Sequence, residues 1–204
     1  MLRKHIFLIG IVVGLVLIAI ATTVYPGGSA FNPASVGFSW KYNYMCNLFG
    51  GTAVNGAVNN ARSWAICGWF VMCFTNAIFF VRFATRISAI GASRIVCYCG
   101  VLGAISAFLA VTPLHDIAIT CTLVFLMTAV LYILIFVFKS KRAYLKVLGL
   151  LTMVVTYLSA YVYYTGTFLQ SLATLQKASL FCILTWFLCL NYFTTKDDFR
   201  VARA

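Results

Sequence analysis

Six long apolar stretches, separated by polar or charged segments, form the main pattern of residues along the chain. A helix needs about 20 predominantly apolar residues to cross a bilayer, and each stretch is close to that length. In lipid the backbone must satisfy its own polar groups, so the stretches predict helices, and they lack the alternating pattern of a membrane barrel. The predicted helices cover residues 5–24, 64–84, 94–112, 117–138, 146–165 and 177–194.

These helices predict an all-α fold, in which residues 1–204 form a single membrane domain, a polytopic six-transmembrane-helix bundle. The composition agrees, because 63% of the residues are hydrophobic, only 9% are charged and the mean hydropathy is +1.00. A soluble domain carries roughly 25% charged residues, since its surface must meet water. The net charge of +12 forms no single basic face, so we expect membrane lipids as partners and no nucleic acid.

The distribution of lysine and arginine predicts the orientation, since these residues are retained on the cytoplasmic side. Twelve of them fall on the side that holds both chain ends, against three on the other side, so we expect both termini in the cytoplasm. The twelve are Arg3, Lys4, Arg82, Arg86, Arg94, Lys139, Lys141, Arg142, Lys146, Lys196, Arg200 and Arg203, and the three are Lys41, Arg62 and Lys177.

The first apolar stretch has an alternative interpretation, a cleavable signal peptide. It follows basic residues and contains the small triplet Ala19-Ile20-Ala21, which resembles a cleavage site. Its apolar run from Ile6 to Val24 is longer than the roughly 7–15 residues of a typical signal core, which favours a retained helix.

The eight cysteines and two histidines do not form the pattern of a metal or redox site. Only Cys46 lies in a long polar segment, so a secreted-type disulfide framework is not expected. Cys97 and Cys99 point to nearly opposite sides of a helix and cannot easily grip one ion. The sequence also lacks H-E-x-x-H, C-x-x-C and phosphate-loop motifs, so we expect no cofactor, no metal and no catalytic set.

Small residues recur at four-residue spacing in two of the predicted helices, which lets neighbouring helices approach closely. They are Gly10 and Gly14 in the first helix, and Gly100, Gly103, Ala104 and Ala107 in the third. Packing within the bundle is the simpler interpretation, and a homo-oligomer or a membrane-protein partner is the alternative.

One long segment, residues 25–63, joins the first two predicted helices. Its Gly, Asn and aromatic content predicts a structured first extracytoplasmic loop, because loops of this length are usually either functional or disordered. Ser39 as an N-cap and Gly50-Gly51 as a stop predict a short helix over residues 40–49, with a helix lying in the membrane interface as the alternative. The residues expected on one face of that helix are Trp40, Tyr44 and Leu48.

The same segment carries the motifs YPGGS, GFSW, NY, NLFG, NG and NNAR between Tyr25 and Arg62, followed by five further helices. It resembles uncharacterised bacterial six-helix membrane proteins, known as domains of unknown function, and the helix count and long first loop are similar to those of Frag/DRAM-like membrane proteins. The resemblance covers most of the chain. It implies the fold and a location in the bacterial inner (cytoplasmic) membrane, and it implies no activity and no catalytic residues.

Polar and ionisable residues near the outer membrane face predict a ligand site, because such groups are costly at membrane depth and often functional. The candidate ligand-binding residues are Asp116, His115, Lys177, Arg62, Tyr157, Tyr161, Tyr164, Asn43 and Asn47. We predict that Asp116 pairs with Lys177 or Arg62, since an unpaired charge there is costly. Helix capping by Asp116 and an interfacial belt of the tyrosines are the alternatives. Deeper in the membrane, Asn76 predicts an interhelical hydrogen bond.

Three functions are compatible with these patterns. We expect a non-enzymatic multi-pass membrane protein whose outward-facing polar pocket binds a lipid or small molecule, or which scaffolds a membrane partner. The alternatives are an interfacial lipid-modifying enzyme that uses Asp116 and His115 as an acid–base pair, and a small transporter. Proton-coupled transport is disfavoured, because no acidic residue falls near the middle of a predicted helix.

Overall fold

The computed structural model of the protein describes residues 2–199, with side chains from His5 onward. Arg200 and Arg203, and the side chains of Arg3 and Lys4, on which part of the charge count rests, lie outside the described residues. The helices are α1 Leu2–Thr23, α2 Arg62–Ala84, α3 Ile90–Leu109, α4 His115–Lys139, α5 Ala143–Thr165 and α6 Leu169–Phe193. Within the described residues, six helices are long and apolar enough to cross a membrane, which indicates a multi-pass membrane protein.

The predicted start of the sixth helix was wrong. Helix α6 begins at Leu169, eight residues before the predicted start at 177, whereas the other helices begin within four residues of theirs. The first turns of α6 carry polar residues, which interrupt the apolar pattern. Gln176 and Lys177 find partners in the long loop, so these polar groups are satisfied inside the protein and the helix continues through them.

The helices pack in chain order, α1 on α2, α2 on α3 and α3 on α4, whereas α5 packs mainly on α6. The α5–α6 hairpin joins the first four helices through a cluster of aromatic side chains near the end of the bundle where α1 begins and α6 ends, called the tail end. There Phe79 and Phe187 stack with ring centroids 4.5 Å apart, and Trp186 Nε1 donates to the Leu145 carbonyl oxygen over 3.0 Å. The Phe79–Phe187 contact joins α2 to α6 and so holds the two parts together, whereas the Trp186 bond joins α5 to α6 within the hairpin.

The small residues of α1 are used for packing within the bundle. Gly10 lies against Thr75 of α2, and Gly14 lies against Met72 and the backbone of Gly68. A side chain at either glycine would collide with α2. The close approach explains the G-x-x-x-G of α1 without a second copy of the chain.

Residues 24–61, called the cap, cover the opposite end of the bundle, called the cap end. Strand β1 Gly27–Ser29 pairs antiparallel with β2 Asn32–Val36, and a 3-10 helix spans Met45–Leu48. The fully buried Asn43 ties these parts together: its Nδ2 donates to the Gly28 carbonyl oxygen over 2.7 Å.

The structure corrects the predicted helix over residues 40–49, since the 3-10 helix covers only Met45–Leu48. The side-chain oxygens of Asn43 and Asn47 accept the backbone N–H groups of Ser39 and Tyr44, both over 2.8 Å. Such local bonds compete with the hydrogen-bond ladder of a helix.

Nor do the residues expected on one face of that helix share an environment, because Trp40 is 57% exposed and Leu48 is fully buried.

At the tail end, the segment after α6 folds back onto the bundle. The Arg86 guanidinium donates to the carbonyl oxygens of Leu190, Asn191 and Thr194 over 2.8–3.2 Å, which satisfies the end of α6. Arg142 Nε donates to Asp198 Oδ1 over 3.0 Å. Arg86 thus fixes the end of α6 to the loop that follows α2, and Arg142 fixes the segment after α6 to the loop that follows α4.

Candidate functional site

A cavity of about 450 Å³ lies beneath the cap, between the α5–α6 hairpin on one side and helices α2, α3 and α4 on the other. Its α3 wall consists of Gly103, Ala104, Ala107 and Ala110. These short side chains leave the space unfilled. Trp69 Nε1 donates to the Ala107 carbonyl oxygen over 2.8 Å, which fixes the adjoining wall.

The cavity is closed toward the tail end and roofed at the cap end. Phe80 and Phe187, whose ring centroids are 5.2 Å apart, form its floor together with Leu126. The roof is the 3-10 helix with its neighbours, and the backbone N–H of Met45 donates to Gln176 Oε1 over 3.0 Å. The cavity thus has an aromatic floor and a roof that is held by a specific contact between the cap and α6.

Most of the lining is apolar, and a few polar groups interrupt it at defined depths. Midway down, the hydroxyl oxygens of Thr156 and Ser179 lie 2.8 Å apart and join α5 to α6. Asn76 lines the opposite wall, where its Nδ2 donates to the Met72 carbonyl oxygen of its own helix over 2.8 Å. The sequence predicted a hydrogen bond between helices for Asn76, whereas the structure shows one within its own helix. The Oδ1 atom of Asn76 is available to a ligand.

The seam between α4 and α5 at the cap end is closed by hydrogen bonds around Asp116. Asp116 Oδ1 accepts from the Tyr163 hydroxyl over 2.9 Å and lies 3.0 Å from His115 Nδ1. The hydroxyls of Thr120 and Tyr164 lie 2.8 Å apart across the same seam. His115 and Tyr163 line the cavity, so these groups form its mouth.

No family model matches the chain, and no curated protein or solved structure is significantly similar to it. The resemblance to bacterial six-helix membrane proteins therefore stays a prediction, and the function is inferred from the cavity and its residues.

The structure corrects the predicted pairing of Asp116 with Lys177 or Arg62. The Asp116 side chain is 87% exposed and its partners are His115 and Tyr163. Lys177 instead donates to the backbone carbonyl oxygens of Asn43 and Ala173. The first turns of α6 rise beneath the cap, so Lys177 is held by cap and helix carbonyls rather than by the α4 carboxylate.

The other predicted site residues are dispersed. Of the nine, only His115 lines the cavity. Arg62 is exposed at the start of α2, and Asn43 and Asn47 are used to build the cap. Tyr157, Tyr161 and Tyr164 are each about half exposed or more on α5. The polar groups that line this mainly apolar cavity are, apart from His115, other residues than these nine.

The cavity-lining residues that the sequence interpretation missed share a face of α5. Thr152, Thr156, Ser159 and Tyr163 recur at spacings of four, three and four residues, which places them on one side of a helix. Thr152 is buried and the other three line the cavity. This hydroxyl-bearing stripe was the available signal, and Tyr157 and Tyr164 each lie one position away from it, on a more exposed face of α5.

Cys46 lies in the cavity roof, where its thiol is buried. Burial raises the pKa of the Cys46 thiol to about 11, so the sulfur in the cavity roof is protonated at neutral pH and supplies no thiolate nucleophile. Over the described residues, no group of three or more His, Cys, Asp or Glu side chains could hold a metal ion.

Proposed function

We propose that the protein binds a neutral single-chain amphiphile, of the monoacylglycerol class, in the cavity beneath the cap. The observation that carries the proposal is the roofed cavity of about 450 Å³, which is mainly apolar and has hydrogen-bonding groups at its mouth and midway down. Ligand pockets in proteins span roughly 300–1,000 Å³ and combine an apolar lining with a few polar groups that orient the ligand.

The charge of the lining indicates the charge of the ligand. The cavity lining contains no Lys, Arg, Asp or Glu among the described residues, and Asp116 lies at the mouth. An anionic group placed inside would lack a counterion and face a carboxylate, which is costly. Hydroxyl and ester groups instead match the amide of Asn76, the amide of Gln176 and the hydroxyl pair of Thr156 and Ser179.

We place the protein in a bacterial inner membrane, with the cap outside and both termini in the cytoplasm. The support is the excess of Lys and Arg at the tail end of the bundle. In this orientation the mouth opens at the outer interface, where a single-chain amphiphile can enter from the outer leaflet.

The test is equilibrium binding of radiolabelled monooleoylglycerol to purified protein in detergent micelles. Ala160 lines the cavity on α5, so Ala160→Trp fills the space and is expected to weaken binding at least about ten-fold. Leu158 lies on the same helix and is 45% exposed, so Leu158→Trp is the matched control and is expected to bind as the wild type does. Equal binding by both variants would remove the cavity as the site.

A second candidate function, a lipid-modifying enzyme, is favoured by one contact, the His115–Asp116 hydrogen bond beside the cavity. A carboxylate that holds Nδ1 leaves the second ring nitrogen of His115 as a general base for an ester or hydroxyl group. In proteoliposomes, such an enzyme would hydrolyse the ester of labelled monooleoylglycerol with water and release oleate and glycerol, and His115→Asn would abolish this conversion. Binding without conversion by the wild type would exclude this candidate for that substrate class.

A further inference from the structure

A second, smaller space of about 240 Å³ lies outside the bundle interior, in a groove between α1 and α6. Its α1 wall consists of Ile11, Leu15, Ile18 and Ala19. Met45, Leu180 and Leu184 line both this groove and the cavity, so they form a partition between the two. The groove is therefore a separate site on the lipid-facing side of the partition.

The position of the groove along the bundle follows from the contact at the tail end. His5 Nδ1 lies 2.8 Å from the Tyr192 hydroxyl, which sets the alignment of α1 against α6. Ala19 in α1 and Ala178 in α6 lie the same number of residues from this contact, which is about 21 Å along each helix. The two residues are therefore level in the antiparallel pair. Lys177 therefore lies level with the last turn of α1, where the apolar span ends and a phospholipid head group would lie.

Lys177 also lines this groove, at its cap end. Its Nζ donates to the carbonyl oxygens of Asn43 over 2.6 Å and Ala173 over 2.8 Å, and a lysine ammonium has three donors. Neither partner carries a charge. The ammonium is thus fixed in place by two uncharged acceptors, it lies 5.8 Å from the centroid of the Phe38 ring, and one of its N–H groups is accepted by neither carbonyl.

No acidic side chain compensates this ammonium. The chain has three acidic residues, all of them described. Asp116 is engaged with His115 and Tyr163, and Asp197 and Asp198 lie at the tail end. A partly buried cation without a counterion favours an anionic partner, and the apolar groove below it requires that this partner carry a hydrocarbon chain.

We propose that the groove between α1 and α6 binds an anionic glycerophospholipid, with one acyl chain along the groove and a phosphate oxygen accepting a hydrogen bond from Lys177 Nζ. Trp40 lines the same groove as Lys177 and is 57% exposed, as expected of an interfacial indole against a lipid head group. The occupant is a lipid of the outer leaflet. It differs in charge from the neutral amphiphile assigned to the cavity, and the two sites do not depend on each other.

The first test measures the lipid preference of the purified protein by native mass spectrometry, in micelles with equal amounts of dioleoyl phosphatidylglycerol and dioleoyl phosphatidylcholine. The wild type is expected to retain phosphatidylglycerol about ten-fold more strongly. Lys177→Gln is expected to bring the two lipids near parity, and Lys177→Arg to keep the preference. Lys41→Gln removes a cation from the cap and leaves the groove unchanged, so it is expected to behave as the wild type.

The second test blocks the groove without touching the charge. Ala19→Trp places an indole in the groove. Val16 lies on the same helix outside the groove and is 53% exposed, so Val16→Trp is the matched control. Retained phosphatidylglycerol should fall several-fold in the first variant only. The proposal is overturned if both Lys177→Gln and Ala19→Trp retain phosphatidylglycerol as the wild type does.

Other occupants give different results. Inorganic phosphate that displaces phosphatidylglycerol at millimolar concentration would show a free-anion site and overturn the assignment to a lipid. A wild-type dimer that Ala19→Trp dissociates, without a change in bound lipid, would show a second copy of the chain in the groove. Ala160→Trp, which fills the cavity, is expected to leave the phosphatidylglycerol preference unchanged, so failure at one site is distinguishable from failure at the other.

Discussion

The side-chain carbonyl oxygen of Gln176, in α6, accepts a hydrogen bond of 3.0 Å from the backbone N–H of Met45, in the cap. The next residue, Lys177, binds the carbonyl oxygen of Asn43 in the same cap. Adjacent residues of one helix thus hold the cap from two sides, Gln176 on the cavity side and Lys177 on the groove side. The position of the cap over both spaces depends on these two polar residues.

Replacing Gln176 with Leu is expected to loosen the roof, because the Met45 N–H loses its partner at a partly buried position. The cost is roughly 1–3 kcal/mol in the free energy of unfolding. Thermal unfolding in detergent measures the loss, and limited proteolysis of the cap reports its release. Gln170→Leu, at an exposed position of the same helix, is the control and should leave both unchanged. Equal behaviour of the two variants would count against the roof contact.

Replacing Arg86 with Met is expected to destabilise the tail end more strongly, by roughly 3 kcal/mol, because three carbonyl oxygens at the end of α6 lose charged donors. Arg94→Met removes an exposed cation on the neighbouring helix and should cost far less. The comparison uses thermal unfolding of the two purified variants, and the idea fails if Arg94→Met is the more damaging change.

Below about pH 5, the stability of the protein should depend on the protonation of the Asp198 carboxyl. Burial alone raises the pKa of this carboxyl, but the hydrogen bonds from Arg142 and Thr195 outweigh it and hold the pKa below its usual value. A lowered folded-state pKa contributes stability above about pH 4, and that contribution is lost as the pH falls through the folded-state value. Unfolding temperatures measured from pH 5 down to pH 3 should therefore fall less steeply in Asp198→Asn than in the wild type. Parallel curves for the two proteins would show that this contribution is negligible.

Opening of the seam between α4 and α5 should depend on Tyr163. Tyr163→Phe removes the hydrogen bond to Asp116 and is expected to cost about 1 kcal/mol of stability and to speed release of bound monooleoylglycerol several-fold. Tyr161→Phe, on the exposed face of α5, is the matched control. Dissociation rates from a pulse-chase of the labelled lipid distinguish the two. A rate that is the same in both variants would mean that the ligand leaves by another route.

The orientation can be tested by labelling intact cells with a membrane-impermeant maleimide. In a variant whose eight native cysteines are replaced with Ala, Val36→Cys, at a position 95% exposed in the cap, is expected to react, and Lys141→Cys, exposed at the tail end, is expected to stay unlabelled. Ser35 is only partly exposed and Ser140 is buried, so these neighbours report less clearly. Labelling of both reporters from outside would overturn the orientation, and labelling of Lys141→Cys alone would invert it.

The sequence by itself determined the number of helices, their approximate bounds and the place of the long first loop. These follow from a local property, the length of each apolar run, because each segment must be long enough to span the bilayer and must satisfy its own backbone polar groups. The spacing of Gly10 and Gly14 is local too, because residues four apart share one face of a helix, and in the structure that face packs on α2.

Only the tertiary structure decided which polar residues meet. Lys177 was expected beside Asp116, yet α6 begins two turns earlier than its apolar run and Lys177 turns toward Asn43. Tyr163 rather than Tyr164 lines the cavity, since the rotation of α5 is set by its packing on α6 through Thr156 and Ser179. Apolarity marks which segments enter a membrane, but nearly every face of these helices is apolar, so the pattern does not say which face turns inward. Helix rotation and the contacts of the cap depend on packing between distant parts of the chain, and those contacts placed the cavity.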